Sequence, residues 1–238
     1  DRGLVGSEMC IRDSIYIIGA GLAGLSASVH AVKRNYKVNV FESSNLIGGR
    51  CRSFFDKKIG HEIDNGNHLV FSANENFYEL CKIVRSLDSL QLLPFDLDFY
   101  DKKQSLYWNI NLEKINLFKI IMNNLELIPG TSLLDYASIF KFFFAKENST
   151  VHDIIGNSNI YSTFWDPLTL AVMNTSSENA SAKILAFVLK ETILKGKKNC
   201  NIYQPKVNWN NSVIEPCINF LKKKGCEINL KNILRSIK

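Results

Sequence analysis

The stretch IYIIGAGLAGLSASVHAV, residues 15–32, constrains the fold more than any other part of the chain. An apolar run with Arg12 ahead of it has the outline of an export-signal core. It also has the outline of a strand, a tight turn and a helix that together cradle phosphates. Gly19, Gly21 and Gly24 supply G-x-G-x-x-G at the strand–helix junction. In that setting the glycines allow a tight turn, a close backbone approach to pyrophosphate and close helix–strand packing. The helix start, with Leu22 and Ala23 between the last two glycines, then offers amide N–H groups to the anion. KVNVFE, residues 37–42, follows as a second strand and ends in Glu42, 18 residues past Gly24. An export core needs neither three spaced glycines nor a second strand closed by an acid. Dinucleotide binding is the expectation, with the Glu42 carboxylate accepting hydrogen bonds from ribose hydroxyls.

Composition sets the outer bounds. The 238 residues are 46% hydrophobic and 22% charged, which fits one large globular domain or two modest ones. The net charge of +6 is spread along the chain, and the densest cluster is KKK at 222–224. No basic stripe interleaves with aromatics, so a nucleic-acid partner is not expected. Attraction to an anionic membrane surface stays open. Six cysteines are scattered with no CxxC pair, which reads as reduced thiols in a cytosolic protein. The four Asn-x-Ser/Thr matches, at Asn148, Asn174, Asn179 and Asn210, carry no weight in an Asn-rich cytosolic chain.

The two ends stand apart. DRGLVGSEMCIRDS, residues 1–14, begins on Asp and has no amphipathic period; GLVGSEMCIRDS resembles a translated sequencing-adapter scar. At the other end GCEINLKNILRSIK reads as a strand and the start of another, so a fragment of a longer chain is expected.

Between them, RSFFD, KIGHEID and HLVFS read as short strands, residues 75–87 as a helix, and DFYDKKQSLYWNI as two strands around a polar turn. NLFKIIMNNL, SLLDYASIFKFFFAK and ENASAKILAFVLKETIL show helical apolar spacing, with Thr175 and Glu178 as a T-x-x-E capping box before the last. VIEPCINFLKKKG and CEINL then give a helix and a strand. The expected fold class is α/β: a Rossmann-like dinucleotide-binding domain interrupted by a mainly helical substrate domain. The first domain would span 15–72 and 197–238, and the substrate domain 73–196.

Gly48-Gly49-Arg50 comes six residues after Glu42 and gives E-x5-G-G-R. This pattern resembles the flavin-dependent amine oxidase and carotenoid desaturase superfamily. The resemblance implies FAD, with Gly48 and Gly49 passing close to it and Arg50 neutralising diphosphate charge. For Arg50 a surface salt bridge is the plainer alternative. His61, Asp64 and His68 raise the question of a metal, but their spacing suits no ligand set and none is expected. IDNGNH resembles the superfamily segment beside the flavin ring, which would bring Gly66, Asn67 and His68 to the cofactor. His68 is a catalytic acid–base candidate there and equally a structural histidine.

IDNGNHLVFSANENFYELCKIV, FWDPLTLAVMNTSSENASAKILAFVLKETIL and QPKV resemble the squalene-associated FAD-dependent desaturases, understood as hydroxysqualene dehydroxylases of hopanoid synthesis. The similarity runs over residues 15–238 and is most specific at Phe164–Leu168, Asn174–Thr175 and Ala180–Ala182. It implies reductive dehydroxylation of an allylic C30 isoprenoid alcohol by reduced FAD in a dry channel. Leu117, Ile120, Ile121, Phe140, Phe142, Phe143, Phe144, Leu168, Val172 and Met173 are channel candidates. Trp165 and Asp166 either point into the site or serve the fold, Asp166 as a helix-start residue before Pro167. A carotenoid-type desaturase, an NAD(P)-dependent dehydrogenase and an inactive nucleotide-binding fragment are the rivals. A cytoplasmic location, peripheral to the inner face of the membrane, would suit the lipophilic substrate.

Overall fold

The computed structural model describes residues 14–66, 68–102, 104–112 and 128–236. Residues 1–13, Asn67, NLFKIIMNNL and its Leu117, Ile120 and Ile121 lie outside them. The chain forms two compact units. The first combines residues 1–69, 74–91 and 204–238, and the second 70–73 and 92–203. The division differs from the expected 15–72, 73–196 and 197–238, because 74–91 returns to the first unit and the second unit runs on to residue 203.

In the first unit, β1 (Ser14–Ile18), α1 (Leu22–Lys33) and β2 (Lys37–Phe41) follow one another as the sequence pattern requires. β1 and β2 pair in parallel from Ser14↔Lys37 to Ile18↔Phe41. α1 turns Leu25, Ser28, Val29 and Val32 to the interior, the i, i+3, i+4, i+7 stripe of an amphipathic helix. Leu25 and Val29 are fully buried, each contributing about 1.5–3 kcal/mol of apolar transfer. β3 (Ser53–Asp56) and β4 (His61–Asp64) make a small antiparallel pair. β5 (Val70–Phe71) belongs to the second unit, and α2 (Glu75–Ile83) packs on α1 in the first. β6 (Leu90–Leu93) carries the chain into the second unit.

The apolar run at residues 15–19 reads in sequence as a buried strand, and β1 is not one. Tyr16 and Ile18 are 65% and 53% exposed, because β1 forms one edge of the three-stranded sheet β1–β2–β10. A strand buries both faces only when flanked and covered on both sides.

The second unit opens with the hairpin β7 (Asp96–Asp101) and β8 (Leu106–Asn111), whose Phe99 and Trp108 rings stack at 5.4 Å. Next come a single helical turn, α3 (Leu133–Tyr136), and a 3₁₀ segment over Ala137–Phe144. The expected long helix SLLDYASIFKFFFAK is thus tightened into three-residue turns. α4 (Val151–Ile155) carries the capping box that the sequence reading placed elsewhere: Thr150 accepts from the Asp153 N–H and Asp153 from the Thr150 N–H. A π turn at Tyr161–Trp165 leads into α5 (Asp166–Met173). α6 (Ala182–Glu191) is capped by Ser181, while the Thr175 hydroxyl donates to the Met173 carbonyl.

β9 (Ile202–Pro205) pairs antiparallel with β5 through Phe71↔Ile202. The chain then re-enters the first unit, where α7 (Glu215–Lys223) packs on α1 and β10 (Glu227–Asn229) adds to β2 in parallel.

Among the described residues all five cysteines are free. Burial pushes the Cys217 thiol up to about 12, with Cys81 and Cys51 adding to the shift, and pushes Cys51 and Cys81 up to about 11. Thiols held protonated in this way are poor nucleophiles.

Candidate dinucleotide cradle and apolar cavity

The G-x-G-x-x-G turn is held from behind. The Gly19 N–H donates to the Phe41 carbonyl at 2.7 Å, extending the β1–β2 ladder into the turn. Gly24 is fixed by contact: a Cβ there would lie 1.9 Å from the Gly19 carbonyl oxygen. α1 begins with Gly21 at its N-cap, without a side-chain cap and without an acid in its first turn. The positive end of the helix and its first amides are therefore left to an external anion.

Gly48 and Gly49 close against this turn. The Gly48 N–H donates to the Ala20 carbonyl at 2.9 Å, and Gly21 and Gly48 form an isolated parallel bridge. A Cβ on Gly49 would approach the Gly21 Cα to 3.1 Å. The paired glycines therefore lie against the first glycine turn, backbone to backbone. Sequence spacing hinted at this only through the doubled glycine.

Glu42 sits where β2 ends. Its Oε2 accepts from the Ala20 N–H at 2.7 Å and its Oε1 from the Ser44 N–H at 2.8 Å. The carboxylate thus braces the turn; Oε1 also accepts from the Ser43 hydroxyl at 3.2 Å, and Oε2 keeps a further lone pair for a ribose hydroxyl. The Ser44 and then the Ala20 hydrogen bonds hold its pKa below the usual glutamate value. Stabilisation from this group is present above the unfolded-state pKa and is lost as pH falls through the lower folded one. Glu42→Gln can offer one acceptor where two N–H groups need one each. It is expected to cost about 1–2 kcal/mol at pH 7. The difference from wild type should shrink as pH drops below about 4, read from urea unfolding at a series of pH values.

Arg50 is exposed, and no ion pair involves it among the described residues. Its carbonyl is occupied: Asn65 Nδ2 and His68 Nε2 both reach it, at 3.2 and 3.1 Å. A carbonyl only accepts, so His68 carries its proton on Nε2 and donates it there. Its ring also meets Trp209 edge-on at 6.3 Å. His68 ties the Gly66 segment to the Arg50 loop, and a structural histidine is what the geometry describes.

Asp64 accepts from the Ser53 hydroxyl at 2.5 Å and the Trp209 N–H at 3.0 Å. Asn210 in turn accepts from the Ser53 N–H and donates to the Ser53 carbonyl. Sequence reasoning missed this brace, which joins residues about 150 positions apart. Among the described residues no group of three or more His, Cys, Asp or Glu could hold a metal.

The residues fit a dinucleotide's pyrophosphate. The helix start has no side-chain cap, side chains are excluded between Gly21 and Gly49, and among the described residues the Arg50 guanidinium has no acidic partner. Arg52 beside Gly48 keeps a buried Nε that no described residue meets.

The second unit holds a cavity of about 530 Å³, within the usual range of small-molecule sites. Phe71 and Ile110 line it from strands, Phe95 from the link between β6 and β7, Ile160 and Trp165 from the π turn and its approach, and Leu185 from α6. Of the channel candidates Phe140, Leu168 and Val172 also line it, whereas Phe142 and Met173 belong to the adjoining core and Phe143 and Phe144 lie outside. The few polar side chains on the wall are engaged. Thr192 donates to the Val188 carbonyl, Cys200 to that of Gly196, and the Tyr136 hydroxyl meets Thr131 and the Ile128 N–H.

Trp165 is 2% exposed and donates from Nε1 to Ser138 at 3.1 Å. Asp166 accepts from the buried Ser177 hydroxyl, which also accepts from Tyr161, itself bonded to His152. The Asp166 carboxylate thus anchors α5 to the 175–180 turn and is not among the lining residues.

Fold and cradle together define a Rossmann-like dinucleotide-binding unit, and residues 17–84 match the family model of the NAD(P)-binding Rossmann-like domain. The chain is 32% identical over 233 residues to the hydroxysqualene dehydroxylase of Zymomonas mobilis, covering 93% of this chain and 54% of that protein. It is 30% identical to that of Sinorhizobium fredii, over 94% and 54%. The chain is thus similar to the hydroxysqualene dehydroxylases and spans about half the length of these relatives. Cyclohexylamine oxidase from Brevibacterium oxydans shares the fold at a TM-score of 0.62, with 15% identity, over 92% of this chain and 51% of the oxidase.

Proposed function

We propose that this chain forms the FAD-binding and substrate-pocket part of an enzyme that reductively dehydroxylates hydroxysqualene to squalene in hopanoid synthesis. The observation that carries the reading is the predominantly apolar cavity, its few polar side chains already engaged, in a chain that also has a dinucleotide cradle. Similarity to the hydroxysqualene dehydroxylases supports the choice of substrate.

In the reaction an allylic C–O bond breaks, a C–H bond forms, and the hydroxyl leaves as water. Reduced FAD, when bound, would supply the hydride and the one proton that this balance requires. Gly21, Leu22, Ala23 and Gly24 present the helix start to the pyrophosphate, and Arg50 neutralises its charge. Gly19, Gly48 and Gly49 shape the turn, Glu42 receives the adenosine ribose, and Asn65 and His68 hold the Arg50 loop in place. The cavity wall keeps the isoprenoid dry. Asp166 is assigned to holding the fold, and the proposed location is cytoplasmic.

Titration of FAD into the purified chain, read by quenching of flavin fluorescence, tests the cofactor. Arg50→Ala is expected to weaken binding by about 10–100-fold, the loss of a charge-assisted contact. Incubation of hydroxysqualene with reduced FAD and the protein should yield squalene on gas chromatography. A more desaturated polyene would move the reading to a carotenoid-type desaturase. Nicotinamide binding without flavin binding would sink it.

A further inference from the structure

The 3₁₀ segment Ala137–Phe144 buries Ser138 and Phe142 and turns its other aromatics outward. Phe144 and Leu134 are each 84% exposed, Phe140 58% and Phe143 43%. The Phe140 and Phe143 ring centroids lie 6.4 Å apart, and Leu134 and Phe144 add exposed apolar surface close by in the chain. Lys141 on this segment and Lys146 just past it are exposed. Such a cluster is costly in water and marks a contact surface. Large apolar side chains beside lysines are the composition of interfacial membrane-binding segments.

Phe140 and Ala137 decide what the patch is for. Both line the apolar cavity and both are exposed, so they stand at its rim. A patch meant only for another protein surface has no reason to be continuous with a dry cavity. No helix among the described residues is long and apolar enough to cross a membrane, so contact through this segment would be peripheral.

We propose that the segment docks on an anionic bilayer surface. Leu134, Phe140, Phe143 and Phe144 enter the acyl boundary, and Lys141 and Lys146 meet headgroup phosphates. The cavity then opens toward the phase in which an isoprenoid substrate dissolves. This purpose rests on the function proposed above, while the docking itself does not.

Co-sedimentation with phosphatidylcholine vesicles, with and without phosphatidylglycerol, tests the docking. The chain should bind, and more tightly when phosphatidylglycerol is present. The exposed double variant Phe143→Ser/Phe144→Ser should lose about tenfold or more in affinity on both vesicle types. Lys141→Gln/Lys146→Gln should lose about tenfold on anionic vesicles alone. Unchanged circular dichroism and FAD affinity would establish that both variants fold. Absence of vesicle binding, or binding unaltered by the phenylalanine changes, overturns the proposal. So does a concentration-dependent dimer that the phenylalanine variant abolishes while vesicles fail to bind. Turnover of detergent-dispersed hydroxysqualene reports separately on the proposed reaction, so failure of one reading is distinguishable from failure of the other.

Discussion

Gly24→Ala should unfold at a clearly lower urea concentration than wild type and bind FAD roughly 100-fold more weakly, a loss typical of misplacing a binding group by about 1 Å. The added methyl group would sit 1.9 Å from the Gly19 carbonyl oxygen, far inside contact distance. Both neighbours are backbone, so no rotamer change can relieve it. Either α1 slides along β1 or the Gly19 turn opens, and each displaces the amides at the helix start. Overpacking of this kind costs about 1–3 kcal/mol, read as a fall in the midpoint with the slope unchanged. Wild-type stability in Gly24→Ala would show that helix and strand are not in this contact.

Trp165→Ala should lose about 3–5 kcal/mol, the usual cost of emptying a large aromatic site. The indole is buried between Phe142 at 5.1 Å and Phe164 at 4.9 Å, and one face lines the cavity. Trp165→Phe keeps most of that packing and gives up only the bond to Ser138. The Ser138 hydroxyl still donates to the Asp135 carbonyl at 2.5 Å, so the expected cost is about 1 kcal/mol. Urea unfolding of the two variants checks the ordering. If Trp165→Phe proved as damaging as Trp165→Ala, the indole N–H would hold more than the cavity wall.

The residues whose chemistry depends on short fixed spacing were legible in the sequence. Gly19, Gly21, Gly24 and Glu42 meet because a strand, a turn and a helix of ordinary length leave them nowhere else to go. Gly48 and Gly49 could be read as a close approach, though not as an approach to Gly21. The role of His68 was hidden because its partner is a backbone carbonyl, and carbonyls leave no trace in sequence. Thr150-Val-His-Asp153 and Thr175-Ser-Ser-Glu178 carry the same kind of capping signal. Only tertiary contact decides between them: Ser177 is buried by its bonds to Asp166 and Tyr161, which commits the second stretch to a turn. β1 was misjudged for a related reason. An apolar run records what could be buried, and its neighbours decide what is.

The cavity wall has a final consequence for selectivity. Every side-chain donor along it that the structure describes already serves another oxygen of the protein, so an oxygen atom brought inside would be stripped of water and given nothing in return. A long hydrocarbon bearing one hydroxyl is therefore expected to lay its apolar length against this wall and keep its oxygen off it. Selection of that kind works by refusal, sorting ligands by where along their length the polarity lies.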